Sequence, residues 1–223
     1  MKMFRVLAVL CVAALALACG SAPTQQRVPI VQPGAPGQAS KDVSAAAAAD
    51  ESHVGYTDAD VAFMQGMIHH HAQALDMVDL LNRNTTSAEM QQLGKRIALS
   101  QTDEIKMMRT WLEARGKAAP NPRAHDMAAM PGMPAHSVMM PGMLTPDEMA
   151  HLGALKGPAF DKTFLEGMIK HHRGALTMVK DLLATAGAAQ DADIFNFAAN
   201  IEADQSAEIE RMTDMLNAME KNQ

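Results

Sequence analysis

Four long stretches of the chain repeat apolar residues three and four positions apart, and none alternates as a half-buried strand would. In the first, residues 57–81, Phe63, Met67, His70, Ala74, Met77 and Leu81 form one stripe, with Met64, Ile68, His71, Leu75 and Val78 beside it. Thr57 with Asp60 supplies an N-cap signal, and Asn82-Arg83-Asn84 breaks the pattern. Thr86 and Glu89 stand at capping-box spacing before the second stretch, which runs to about Arg115 and stops at Gly116. A third helix is expected from Asp161 to near Gly187, and a fourth from about Asp191 to about Glu220. Between the pairs, residues 117–144 are studded with proline and glycine. Thr145-Pro146-Asp147-Glu148 then offers an N-cap, a first-turn proline and a carboxylate at the third helical position, so a short helix to about Leu155 follows. The pattern predicts an all-α fold.

The first and third stretches are copies of one another. Residues 63–78 align with residues 164–179 at an offset of 101 and are identical at ten of sixteen positions, among them the glycine, both final histidines and the last methionine. The partner helices align at an offset of 104, which pairs Gln101, Glu104, Ile105 and Met108 with Gln205, Glu208, Ile209 and Met212. Two helical hairpins of common origin, over residues 57–116 and 160–221, predict a four-helix bundle with pseudo-two-fold symmetry. A linker (117–144) and a short connecting helix (145–155) join them.

Ahead of the bundle the texture changes. Lys2 and Arg5 precede an uncharged apolar run, Val6 to Ala18, too short to span a membrane as a mature helix. It ends at Ala16-Leu17-Ala18-Cys19, which resembles a bacterial lipobox. Residues 1–18 are therefore expected to be a lipoprotein signal peptide and Cys19 the lipidated N-terminus; the alternative is an ordinary secreted chain cut near Ala18. Residues 19–53, rich in Pro, Gln, Gly, Ser and Ala, read as a flexible tether to a domain over residues 54–223. Hydrophobic residues make up 48% of the 223, enough for a real core. The formal charge is −6; removing the signal takes Lys2 and Arg5 away and leaves 17 basic against 25 acidic residues, or −8. No basic cluster lies outside the extreme N-terminus, which argues against nucleic acid as a partner. Cys11 falls within the signal and Cys19 would carry lipid, so no thiol ligand and no disulfide is expected in the mature fold.

Methionine is the compositional outlier, at 20 residues. Met67 stands one turn from His70 and His71, with Met77 two turns further on; Met168, His171, His172 and Met178 repeat the arrangement. Imidazole suits copper, zinc, iron or nickel, whereas thioether sulfur favours the soft ion Cu(I). A buried imidazole without partners costs roughly 1–3 kcal/mol. Partners stand on the second helix of each hairpin, where Gln101, Glu104 and Met108, and again Gln205, Glu208 and Met212, share a stripe. An inward glutamate there either ligates a metal or fixes an imidazole's tautomer. A methionine stripe alone is ordinary core packing; the repeated His-His pair beside it is what points to metal. His69 lacks that support, because Lys170 occupies its equivalent position. The linker adds His125, Met127, Met130, Met133, His136, Met139, Met140 and Met143 within nineteen residues. Exposed methionine oxidises readily, so these residues either capture Cu(I) or Ag(I) or wrap the bundle and fill its grooves.

The Phe-x3-Met-Ile-x-His-His-x2-Ala-x2-Met pattern, its second copy, the Gln-x2-Glu-Ile-x2-Met helices and the Met139-to-Pro146 link together resemble the bacterial "domain of unknown function 305" family over Phe63 to Leu216. The resemblance implies a ferritin-like four-helix bundle, exported and often a lipoprotein, some of whose relatives are linked to copper binding and copper resistance. Residues and resemblance together give an anchored, non-catalytic protein facing the periplasm or cell exterior. It would sequester or hand on copper, Cu(I) in the first place and otherwise Ag(I) or Cu(II), with a copper-handling protein or a second copy of the chain as partner. Two other readings stay open. One is a metal-free helical interaction module whose histidines are satisfied internally. The other is a di-metal oxidase, for which the ligand set is incomplete: the only Glu-x-x-His is Glu148 to His151.

Overall fold

The computed structural model describes residues 30–32, 40–44, 55–122 and 139–221. Within the segment read as tether, β1 (Ile30–Gln32) and β2 (Lys41–Val43) pair antiparallel, with Ile30 opposite Val43. Each strand has three residues, too short for alternation to register, yet their Ile and Val are strong strand formers. This strand pair lies outside the four long stretches and leaves the all-α fold class standing.

The remaining elements are helices: α1 (Asp58–Asn84), α2 (Ala88–Ala114), α3 (Pro146–Ala154), α4 (Gly157–Ala184) and α5 (Ala192–Lys221). Thr57 and Asp60 form a reciprocal capping box, in which the Thr57 N–H donates to Asp60 Oδ2 at 2.7 Å and the Asp60 N–H to Thr57 Oγ1 at 3.2 Å. Thr145 and Glu148 cap α3 in the same way. Three boundaries differ from the sequence reading. Asn82-Arg83-Asn84 continues α1, because Asn84 is held there by the Gly153 carbonyl and Lys156. The N-cap of α2 is Ser87, which accepts from the Met90 N–H, and not Thr86. Helix α4 begins four residues before Asp161, since Pro158 in a first turn gives up an N–H that no helical carbonyl needs.

Helix α1 packs along α2 and α4 along α5; the hairpins meet through α1 and α4, and α2 hardly touches α5. Gly66 meets Met178, Gly167 meets Met77, and His70 lies against His171. As the number rises on α1 it falls on α4, so the two helices cross antiparallel about a pseudo-two-fold axis at that histidine pair. Two clasps fix one end: Asp60 Oδ1 accepts the Ala189 N–H at 2.7 Å, and Arg115 pairs with Asp191 at 2.8 Å.

The core is split. One apolar cluster holds Phe63, Met64, Met67 and Ile68 with Ile105, Met108, Trp111, Phe197 and Ile201. The other holds Ala74, Met77, Val78 and Leu81 with Ile97, Phe164, Met168, Met212 and Met215. The residues between them along each helix are polar: His70 and His71, Gln101 and Glu104, His171 and His172, Gln205, all buried, and half-buried Glu208. A layer of imidazoles, amides and carboxylates therefore separates two hydrophobic halves.

The end of the linker crosses this layer as a strap. Gln73 grips the Leu144 backbone twice: its Nε2–H donates to the Leu144 carbonyl at 2.9 Å and its Oε1 accepts the Leu144 N–H at 2.7 Å. At the repeat-equivalent position stands Gly174, where a Cβ would lie 1.9 Å from the Pro141 carbonyl oxygen. One copy carries a hand for the strap and the other leaves room for it.

Candidate metal centre

Four buried imidazoles form the heart of the layer, and all four use the same nitrogen. His70 Nε2–H donates to the Pro141 carbonyl at 3.0 Å and His171 Nε2–H to the His70 carbonyl at 2.9 Å. His71 and His172 each place Nε2 2.5 Å from a carboxylate oxygen, of Glu104 and Glu208 respectively. A carbonyl or carboxylate oxygen only accepts, so each Nε2 carries the proton, and in a neutral ring Nδ1 is then a bare lone pair. None of the four Nδ1 atoms finds a hydrogen-bond partner among the described residues. Buried polar atoms are nearly always partnered, so four of one kind in one layer set this level of the bundle apart from the core around it.

The repeat is visible in the geometry. Ring centroids lie 6.3 Å apart in His70–His71 and 6.1 Å apart in His171–His172, while His70 and His171 approach to 3.9 Å across the axis. Burial, then His71 and to a lesser degree His172, push the His70 imidazole down to about 3, against an upward pull from the Pro141 carbonyl. Burial first, and then the neighbouring His70, His172 and His71, hold His171 well below the usual histidine range. Both rings are thus neutral at physiological pH, the form that ligates metals.

The apolar cluster on each side of the layer contains thioethers: Met67, Met108 and Met178 on one side, and their repeat equivalents Met168, Met212 and Met77 on the other. Glu104 and Glu208 each sit on an imidazole Nε2, a position from which a carboxylate fixes the tautomer. Among the described residues no three His, Cys, Asp or Glu side chains converge in a way that could hold a metal ion. Within the linker, Met139 is 39% exposed, Met143 is half-buried and Met140 is buried with its sulfur against Gly66. Cys19, His125, Met127, Met130, Met133 and His136 lie outside the described residues.

Three features escape a reading by stripe and repeat. His69 is buried, its Nε2 has no partner among the described residues, and burial lowers its basicity. Gln101 and Gln205, candidates to pair with the histidines, leave that task to the glutamates; both amide atoms of Gln101 and the oxygen of Gln205 lack partners among the described residues. Gln73 holds the strap, and its mismatch with Gly174, one of six within the sixteen-residue repeat, was the available signal.

The DUF305 family profile, "Domain of unknown function", matches residues 60–216. No curated protein matches the chain. Among solved structures, a DUF305 fragment from Deinococcus radiodurans is similar at 29% identity and a TM-score of 0.61, over 73% of this chain and 98% of that one. A DUF305 protein of Streptomyces coelicolor, assigned as secreted, is 29% identical with a TM-score of 0.60, over 72% and 93% of the two chains. CopM in its Cu(II)-bound form is 28% identical with a TM-score of 0.55, over 71% and 96%. With a family match over more than two thirds of its length and an all-α bundle shared with solved members, the chain belongs to the DUF305 family.

Proposed function

We propose that the chain is an envelope-anchored copper-binding protein that sequesters or hands on Cu(I), with Ag(I) as a chemical equivalent, through His and Met ligands. The observation that carries this reading is the set of four unpartnered, buried Nδ1 atoms in a layer between two apolar clusters that contain thioethers. Neutral imidazole with thioether is a donor set for a soft monovalent ion. Each Nε2–H donated to an oxygen fixes the ring and raises the basicity of Nδ1. The copper-bound relative CopM lends support from a similar fold. The role needs no catalysis: affinity and exchange are sufficient, and lipidation at Cys19 with the tether of residues 19–53 would hold the bundle at the membrane. Glu104 and Glu208 keep 11% and 19% of their side chains exposed, which puts two of the imidazoles a single carboxylate away from solvent.

The test is anaerobic Cu(I) titration against a competing chelator, comparing the wild type with a variant in which His70, His71, His171 and His172 are all leucine. The wild type should take up Cu(I) with defined stoichiometry. It should melt higher in its presence, by about 4 kcal/mol of stabilisation at a thousandfold excess over Kd. The variant should lose both effects. Equal binding by the two proteins contradicts the reading.

A further inference from the structure

The two hairpins are copies, but the strap that crosses both is not, and it treats them differently. We infer that the two halves of the site are unequal: Met140 makes the notch at Gly66 a two-thioether site that takes one Cu(I) or Ag(I) ahead of the equivalent notch at Gly167. The inference rests on the copper-binding reading and specifies where the first ion goes.

Gly66 and Gly167 are repeat equivalents, and each floors a notch where α1 crosses α4. At Gly66 the place a Cβ would occupy lies 3.4 Å from Met140 Sδ and 3.5 Å from the Met178 methyl. At Gly167 the corresponding place lies 3.3 Å from Leu144 Cδ2 and 3.3 Å from the Met77 methyl. Met178 and Met77 are themselves a repeat pair, so each hairpin sends one methionine onto the other's glycine. The strap then breaks the match by adding a sulfur to one notch and a branched hydrocarbon to the other. His70 and His171 follow their glycines by four residues, and helical side chains lean back over the preceding turn. An imidazole therefore borders each notch.

The strap does not choose its register freely. Two hydrogen bonds fix Leu144 to Gln73, and the Pro141 carbonyl accepts from His70. Pro141 and Gly142 press against Gly174, where any side chain would collide with backbone. Met140 is turned inward and buried, while Met139 beside it is exposed. Two thioethers and an imidazole suit a soft monovalent ion; leucine has no lone pair to offer in the other notch.

The experiment is stepwise competition titration of the full-length protein with Cu(I), repeated with Ag(I), resolving the first and second binding constants. In the wild type the first step should be at least about tenfold tighter than the second, the equivalent of roughly 1.4 kcal/mol. Met140→Leu should bring the first step down to the level of the second, with metal-free melting and far-UV circular dichroism little changed, since Leu and Met are close in volume. Leu144→Met should tighten the second step instead. Two equal steps in the wild type, or a first step untouched by Met140→Leu in a folded variant, overturn the inference and leave copper binding standing. Absence of Cu(I) and Ag(I) binding by the wild type removes the copper reading itself, and this inference with it.

Discussion

His70 and His171, 3.9 Å apart between ring centroids and fully enclosed, cannot both be charged without solvent to shield them. Their basicity in the fold is below the free value of 6.5, for His70 at about 3. The unfolded chain therefore binds protons that the native chain refuses once the pH falls below about 6.5. Metal-free stability should be flat on this account above that pH. It should then drop by about 1.4 kcal/mol per pH unit for each such histidine as the pH falls toward about 3, where His70 at last accepts its proton in the fold. Urea midpoints at pH 7.5, 6 and 5 would measure the slope, with a His70→Leu, His171→Leu variant as reference for the carboxylates. A wild-type slope no steeper than that of the variant would contradict the account. The helical spacing alone turned these residues inward. It did not tell which neighbour each would find, because Gln101 and Glu104 share a stripe and only the packed hairpin decides which reaches His71.

The strap shows the same limit at the scale of elements. Helices α1, α2, α3 and α5 follow from periodicity, capping residues and the repeat, whereas the seat of the strap depends on two helices meeting. Gly142, at φ 76°, and Gly174 are pressed back to back, with a Cβ on Gly142 only 2.4 Å from the Lys170 carbonyl oxygen. Gly174→Ala should therefore force the strap off α4. Overpacking of this kind costs about 1–3 kcal/mol, and the displaced strap would leave the His70 Nε2–H without its acceptor. Denaturation should give a lower midpoint, and hydrogen exchange at Leu144, protected by Gln73, should accelerate. Wild-type stability and protection in that variant would mean that the contact is looser in solution. The early start of α4 and the choice of Ser87 over Thr86 escaped the sequence for a local reason. At α2 two adjacent hydroxyl residues compete for the cap and Ser87 takes the Met90 N–H; α4 starts behind Lys156, which makes no side-chain cap bond, with Pro158 in its first turn.

At the scale of the molecule, a buried polar layer divides a bundle that could have been apolar throughout. Duplication, helix number and the inward histidines were legible in the chain; the division was not, because it arises only when four polar stretches align at one level. A core built for stability alone would leave no amide unpartnered at this depth. Replacing Gln101 and Gln205 with methionine should raise metal-free stability by about 1 kcal/mol or more, as removal of an unpaired buried amide does. Loss of stability on that change would mean that both amides are satisfied in solution. Sites that keep such a cost commonly do so for function. The most direct test of the central claim is nitrogen-15 NMR of the histidine side chains during titration with Ag(I). The account predicts that Nδ1 resonances among His70, His71, His171 and His172 move as the ion binds, while each Nε2 keeps its proton. Unmoved Nδ1 resonances at saturating Ag(I), or ligation through Nε2, would contradict it.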